Sequence, residues 1–188
     1  MLAQFQKVGR DLFTRGLVAS NTGNLSIRFG NRLVITRRGC MLGDIQESDL
    51  IETGVSKNDR ATPLASTELA VHRAIYRLTP AQAVVHAHPR HAVALSLTDS
   101  EIVPSCAEAL AVVGVVPVLG RNLTVKPGDF AEQIALALQR SRVVVVHGHG
   151  SFAIGQLLEE AYNLTTILEE CSQVNYLLKA LPAVSPPG

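Results

Sequence analysis

Residues 24–36 read NLSIRFGNRLVIT, two strand-like stretches, NLSIRF and RLVIT, joined at Gly30 and Asn31. A Gly-Asn pair flanked by two such stretches is a strand–turn–strand signal and predicts a tight antiparallel hairpin. Upstream, residues 2–16 space Leu2, Phe5, Val8, Leu12 and Phe13 as one face of a helix would, with Gly16 at its stop. Downstream, ESDLIET (47–53) leads into a short strand and GVSKNDRATP (54–63) is a polar loop. STELAVHRAIYRL (66–78) predicts a helix that Ser66 or Thr67 can cap and that Thr79-Pro80 ends. AQAVVHAH (81–88) reads as a strand, 90–97 as a short helix and VVGVVPVL (112–119) as a β-rich stretch. KPGDFAEQIALALQ (126–139) is a helix opened by Pro127 and Asp129, and RVVVVHGHGSFAIG (142–155) a strand, a glycine-rich turn and a second strand. A last helix runs from about 157 to 180, with Leu157, Ala161, Leu164, Ile167, Leu168, Cys171 and Val174 along one side. Short strands mixed with hairpins give an α/β class and argue against a doubly wound parallel sheet. With no internal repeat and no linker, the expectation is one domain over 1–180 and a loose tail over 181–188.

Bulk properties narrow the function. The 188 residues are 47% hydrophobic and 18% charged, as in a compact domain able to bury a core. A net charge of +1 without any basic block points away from nucleic acid and from anionic membrane surfaces. No apolar run approaches the roughly 20 residues of a membrane span, and MLAQFQKVGRDLF lacks the apolar core of a signal peptide. Cys40, Cys106 and Cys171 are odd in number and far apart, which argues against a disulfide scaffold and for a reducing, cytoplasmic setting. Each reads as a packing residue, with a reactive thiol as the alternative for Cys40.

The chemistry gathers around histidine. VVHAHPRH (84–91) holds three of the six histidines, and VVVVHGHG (143–150) holds two more. If 82–88 is a strand, His86 and His88 face the same way. A second pair, His147 and His149, ends another apolar strand, so two strand ends can bring three or four imidazoles to one point. Catalytic zinc takes three protein ligands and keeps one position open, which suits that supply. His72 and His91 read as ordinary hydrogen-bonded or solvated side chains. Glu68 falls in the first turn of a helix, where a carboxylate is favourable with the macrodipole. Beside it, Ser66 and Thr67 with free backbone N–H groups form a natural anion cradle. Asn21, Gly23, Asn24 and Ser26 in SNTGNLS, and Arg37, Arg38 and Gly39 in TRRGC, are either plain turns or further donors to the same anion.

Taken in order, TGNLS, VIT, STE, HAHP and HGHGSFAIG resemble the class II aldolase/adducin family from about residue 9 to 178. The resemblance implies a three-layer α/β/α fold around a mainly antiparallel mixed sheet, and a homotetramer with interfacial active sites. It also implies zinc held by His86, His88 and His149, the last chosen over His147 because it directly precedes GSFAIG. Glu68 would be the catalytic acid/base; related pentulose-phosphate epimerases carry aspartate there. The substrate phosphate would lie on Asn24, Gly39, Ser66 and Thr67. Arg38 stands where fuculose-phosphate aldolases have threonine, and offers a guanidinium to the same phosphate. Those aldolases also carry a C-terminal tail tyrosine that helps protonation; with the sequence ending at Gly188, an equivalent donor is expected elsewhere. Glu108 falls near another of their active-site positions, and Tyr76, Tyr162 and Tyr176 read as packing residues. The implied activity is zinc-dependent cleavage of a short ketose phosphate of the L-fuculose 1-phosphate type, through a metal-stabilised enediolate. The products would be dihydroxyacetone phosphate and an aldehyde. The alternatives are a methylthioribulose-phosphate dehydratase, a decarboxylase, and a non-catalytic adducin-like scaffold.

Overall fold

The computed structural model describes residues 1–120 and 127–181. Helix α1 (Leu2–Thr14) leads to the hairpin β1 (Asn24–Phe29) and β2 (Arg32–Thr36), then β3 (Leu50–Gly54), α2 (Leu69–Leu78), β4 (Ala83–Ala87) and α3 (Arg90–Ser96). There follow β5 (Glu101–Ile102), α4 (Ala107–Val113), β6 (Val116–Leu119), α5 (Pro127–Ala137), β7 (Val143–Val146), β8 (Gly150–Gly155) and α6 (Leu158–Ala180). The strands make one sheet in the order β3-β2-β1-β4-β8-β7-β6-β5. All neighbours are antiparallel except β6 and β7. The sheet is therefore mixed and mainly antiparallel, as expected. The hairpin that suggested this closes with Phe29 opposite Arg32.

Period-two alternation sorts the strand side chains into two cores. Ala83, Val85 and Ala87 of β4, with Val143 and Val145 of β7, meet Phe5, Val8 and Leu12 of α1 and Leu158, Ala161, Leu164 and Leu168 of α6. Val84, Val144, Val146 and Phe152 turn the other way, onto Ala74, Ile75 and Tyr76 of α2 and Ile134 and Ala135 of α5. Burying each Val, Leu, Ile or Phe among them removes about 1.5–3 kcal/mol of unfavourable exposure, so both helical layers clamp the sheet. Among the described residues, no helix is long and apolar enough to cross a membrane.

Three local expectations are corrected. Val112 and Val113 end α4 instead of opening a strand, because Gly114 at φ 66° terminates the helix and the chain turns into β6. Helix α2 takes Glu68 as its N-cap residue, not Ser66 or Thr67. Residues 65–66 are held by the end of β2 instead: Arg37 bridges to Ala65, and Ser66 N–H donates to the Thr36 carbonyl. Strand β4 stops at Ala87, so His88 lies just past it. The expected loose tail falls, apart from Leu181, outside the described residues, as does Lys126 at the start of the helix expected over 126–139.

Candidate metal and carboxylate site

Strand β4 runs between β1 and β8, which sets His86 opposite Asn24 on one side and Phe152 on the other. The His86 ring is 1% exposed and stacks on Phe152 with centroids 4.3 Å apart. Its Nδ1 is 2.9 Å from the Ser151 carbonyl oxygen. A carbonyl only accepts, so Nδ1 carries the ring proton and Nε2 presents its lone pair. His88 is fixed by its backbone N–H, which donates to the Leu17 carbonyl at 2.7 Å, and its Nε2 lies 3.0 Å from that of His86. His149 arrives from the β7–β8 turn and stacks 5.0 Å from His86. One ligand nitrogen from each of these three lies within 4.8 Å of the others. His147 is outside the cluster: Gly148, at φ 64°, turns the chain between the two histidines.

Gly150 makes this convergence possible. A Cβ there would lie 2.4 Å from the Ala87 carbonyl oxygen and 2.8 Å from His88 Cδ2. Backbone cannot yield as a flexible side chain can, so β4 and β8 would have to part. Gly150→Ala is expected to lower stability by about 1–3 kcal/mol and to weaken ion uptake, read by urea unfolding and by titration with a divalent ion.

Glu68 closes the cluster. Its Oε1 accepts from His149 Nε2 at 3.0 Å, and its Oε2 accepts from the Asn24 amide at 2.9 Å and lies 3.1 Å from His86 Nε2. Burial alone would raise this carboxyl, but the hydrogen bonds from His149 and Asn24 and the nearby imidazoles outweigh it and hold it at about 2. Burial pushes His86 down to about 3 and also lowers His88, while the bond to Glu68 raises His149. With its one proton directed at the Ser151 carbonyl, His86 has none left for the carboxylate oxygen. Lone pairs of ring and carboxylate thus face each other, an arrangement that a cation beside them relieves. Three imidazole nitrogens next to a carboxylate suit a borderline ion such as zinc. His86, His88 and His149 are the residues that could hold it.

Burial also carries a pH consequence. His72 is pushed down to about 4 and His86 to about 3, against 6.5 when unfolded. Below about pH 6.5 these two rings bind more protons unfolded than folded, so their contribution to stability rises with pH through this window, while the raised His149 works in the opposite sense. With two strongly lowered rings against one raised, the urea midpoint is expected to fall from pH 6.5 towards pH 4.

Next to the histidines a polar pocket of about 170 Å³ is lined by Asn21, Gly23, Asn24, Arg38, Gly39, Ser66 and Thr67 among others. The structure thus gathers the three loops that the sequence suggested. Arg37 is engaged by Asp49 at 2.8 Å, whereas the exposed Arg38 guanidinium has no acidic partner among the described residues. The backbone N–H groups of Gly39 and Thr67 likewise lack an acceptor among the described residues. Asn24 departs from the expectation: its carboxamide is engaged by Glu68 and His72 rather than free for an anion. Glu108 lies on α4 beside Cys106 and Cys171, outside this pocket. His91 pairs with Glu169 of α6 at 2.8 Å. Burial pushes the Cys40 and Cys171 thiols up to about 11, as befits packing residues. Tyr162 and Tyr176 lie on α6, Tyr176 exposed, and Tyr76 is buried in α2. Sequence reasoning missed Phe152 and Ser151; the signal was present in GSF directly after the second histidine pair, on a strand that had to neighbour the first.

A mixed antiparallel sheet between two helical layers, with three strand-end histidines against the carboxylate of the residue that opens α2, is the frame of a class II aldolase. The family model for the class II aldolase and adducin N-terminal domain matches residues 3–176, and the chain belongs to that family. It is an enzyme of the lyase class. Among its relatives is the L-fuculose phosphate aldolase of Methanococcus maripaludis strain S2, 31% identical over 182 residues and covering 96% of this chain and 98% of the relative. The crystal structure of the L-fuculose-1-phosphate aldolase from Thermus thermophilus superposes with a TM-score of 0.87 at 37% identity, covering 97% of this chain and 98% of that one. A probable bifunctional methylthioribose-1-phosphate isomerase/methylthioribulose-1-phosphate dehydratase of Nocardia farcinica is 27% identical, over 89% of this chain and 34% of that one.

Proposed function

We propose that the chain is a zinc-dependent aldolase that cleaves a short ketose phosphate of the L-fuculose 1-phosphate type into dihydroxyacetone phosphate and an aldehyde. The observation that carries the reading is Glu68 set against the His86, His88 and His149 cluster beside a pocket of unpaired cationic and N–H donors. His86, His88 and His149 would hold the ion, which when bound supplies Lewis-acid stabilisation of the negative charge developing beside the substrate carbonyl. Neutral imidazoles suit that task because they leave the ion its full charge. Arg38, with Gly39, Ser66 and Thr67, would grip the phosphate and so fix the reacting carbon before the bond breaks. Glu68 takes up and returns the proton, its two oxygens held apart in role by Asn24 and His149. A cytoplasmic homotetramer, with a partner completing the site, is part of the same reading.

Arg38→Ala is expected to raise KM for the phosphate ester about tenfold or more, in keeping with the loss of a charge-assisted contact, with kcat little changed. Steady-state kinetics check it; an unchanged KM would remove Arg38 from the cradle. The function is tested with fuculose, rhamnulose and methylthioribulose phosphates, each with and without chelator, and with product analysis. Aldehyde release that stops on chelation supports the proposal. Loss of water instead would favour the dehydratase reading suggested by the Nocardia relative, and chelator-insensitive turnover would overturn the metal assignment.

A further inference from the structure

Behind Glu68 runs a buried chain of hydrogen bonds in which each polarity is dictated by the next. Residues Glu68, His72 and Tyr76 recur every four positions from the start of α2, and Asn24, Ser26 and Arg28 every second position along β1, so one face of each element meets the other. The links are Asn24 Nδ2 to Glu68 Oε2 at 2.9 Å, His72 Nε2 to Asn24 Oδ1 at 2.5 Å, and Ser26 Oγ to His72 Nδ1 and to Tyr76 OH at 2.6 Å each. Arg28 Nη1 anchors the far end by donating to the Tyr76 carbonyl at 2.6 Å. Ser26 and His72 are fully buried and Tyr76 is 1% exposed, so water does not compete for these bonds.

An ionised carboxylate only accepts, so Asn24 must turn its NH₂ towards Glu68 and its oxygen towards His72. That oxygen requires a proton on His72 Nε2. Burial keeps the ring neutral, with its pKa down at about 4, so Nδ1 bears a lone pair. Ser26 O–H donates to it and in turn accepts from the Tyr76 hydroxyl, which keeps its proton because burial pushes it well above the usual phenol range. The chain cannot pass protons to solvent, since it ends at a buried phenol and runs through an amide. Its role is orientation.

We propose that His72 is a positioning residue: as the Nε2–H tautomer it locks the Asn24 carboxamide so that an N–H, never the carbonyl, meets Glu68. This rests on Glu68 being the acid/base, but the lock itself can be measured without turnover. In ¹⁵N-histidine-labelled protein, His72, assigned by its loss in His72→Gln, should show a protonated Nε2 and an unprotonated Nδ1. The Nδ1–H tautomer, or a charged ring at neutral pH, would overturn the proposal.

Kinetics supply the second arm. Glutamine places its amide nitrogen near the position of Nε2, asparagine near that of Nδ1. His72→Asn is expected to lower kcat about ten- to a hundredfold, the scale on which a remote misplacement acts, with KM and metal content little changed. His72→Gln should recover most of that loss. Equal losses in the two variants would reduce His72 to packing and overturn the proposal. Full turnover in Glu68→Gln would instead dismiss the acid/base reading, leaving the tautomer measurement to decide the lock.

Discussion

Glu68→Gln is expected to lower kcat by about a hundred- to ten-thousandfold, the usual worth of a placed proton-transfer group, while the histidine cluster still takes up zinc. The substitution keeps the shape of the side chain, and its carbonyl oxygen can still accept from the Asn24 amide now bonded to Oε2 at 2.9 Å. Its NH₂ then faces His149, whose Nε2 is 3.0 Å from Oε1 and can accept when the ring is neutral. What the amide cannot do is take up a proton at neutral pH. Turnover and metal content measured on the same preparation check this. Undiminished turnover with bound metal would move the acid/base role to another residue.

His88→Ala is expected to abolish stoichiometric zinc binding and with it turnover. Loss of an outer hydrogen-bond partner of a ligand typically costs 10–100-fold in affinity, and removing a ligand should cost more. His88 is the candidate of choice because it is only half-buried and its main chain is anchored at Leu17, so the truncation leaves the fold intact. His86→Ala would also remove the ring stacked on Phe152, mixing core damage with ligand loss. The control is His147→Ala, which should bind zinc as the parent does, since His147 lies outside the cluster. Metal analysis after dialysis separates the two outcomes; equal loss in both variants would mean that the wrong member of HGHG has been assigned.

The sheet and the histidine cluster were legible because both rest on local rules. Gly30-Asn31 between two strand-like runs has few readings other than a hairpin, and an apolar run ending in H-x-H puts imidazoles at a strand end whatever surrounds it. Where tertiary contacts decide, the sequence was silent or misleading. VVGVVPVL holds the end of α4 and the start of β6, and a short apolar run does not reveal which side of a glycine is helical. The two H-x-H pairs look alike, yet the first straddles the end of β4 and the second is split by the turn at Gly148, so only one of its histidines reaches the cluster. His72 reads as an unremarkable helix histidine until β1 is laid against α2. Its spacing from Glu68 and Tyr76 carries information only once that neighbour is known.

The seam between β4 and β8 joins residues 83–87 to residues 151–155. No contiguous peptide therefore contains a working set of ligands, unlike a zinc finger, which folds around its ion from one short stretch. Long loops must close before the two strand ends meet, and such pairing is slow. Appearance of high-affinity zinc uptake during refolding should consequently track the assembly of the whole sheet, making the ion a late reporter of folding rather than its nucleus.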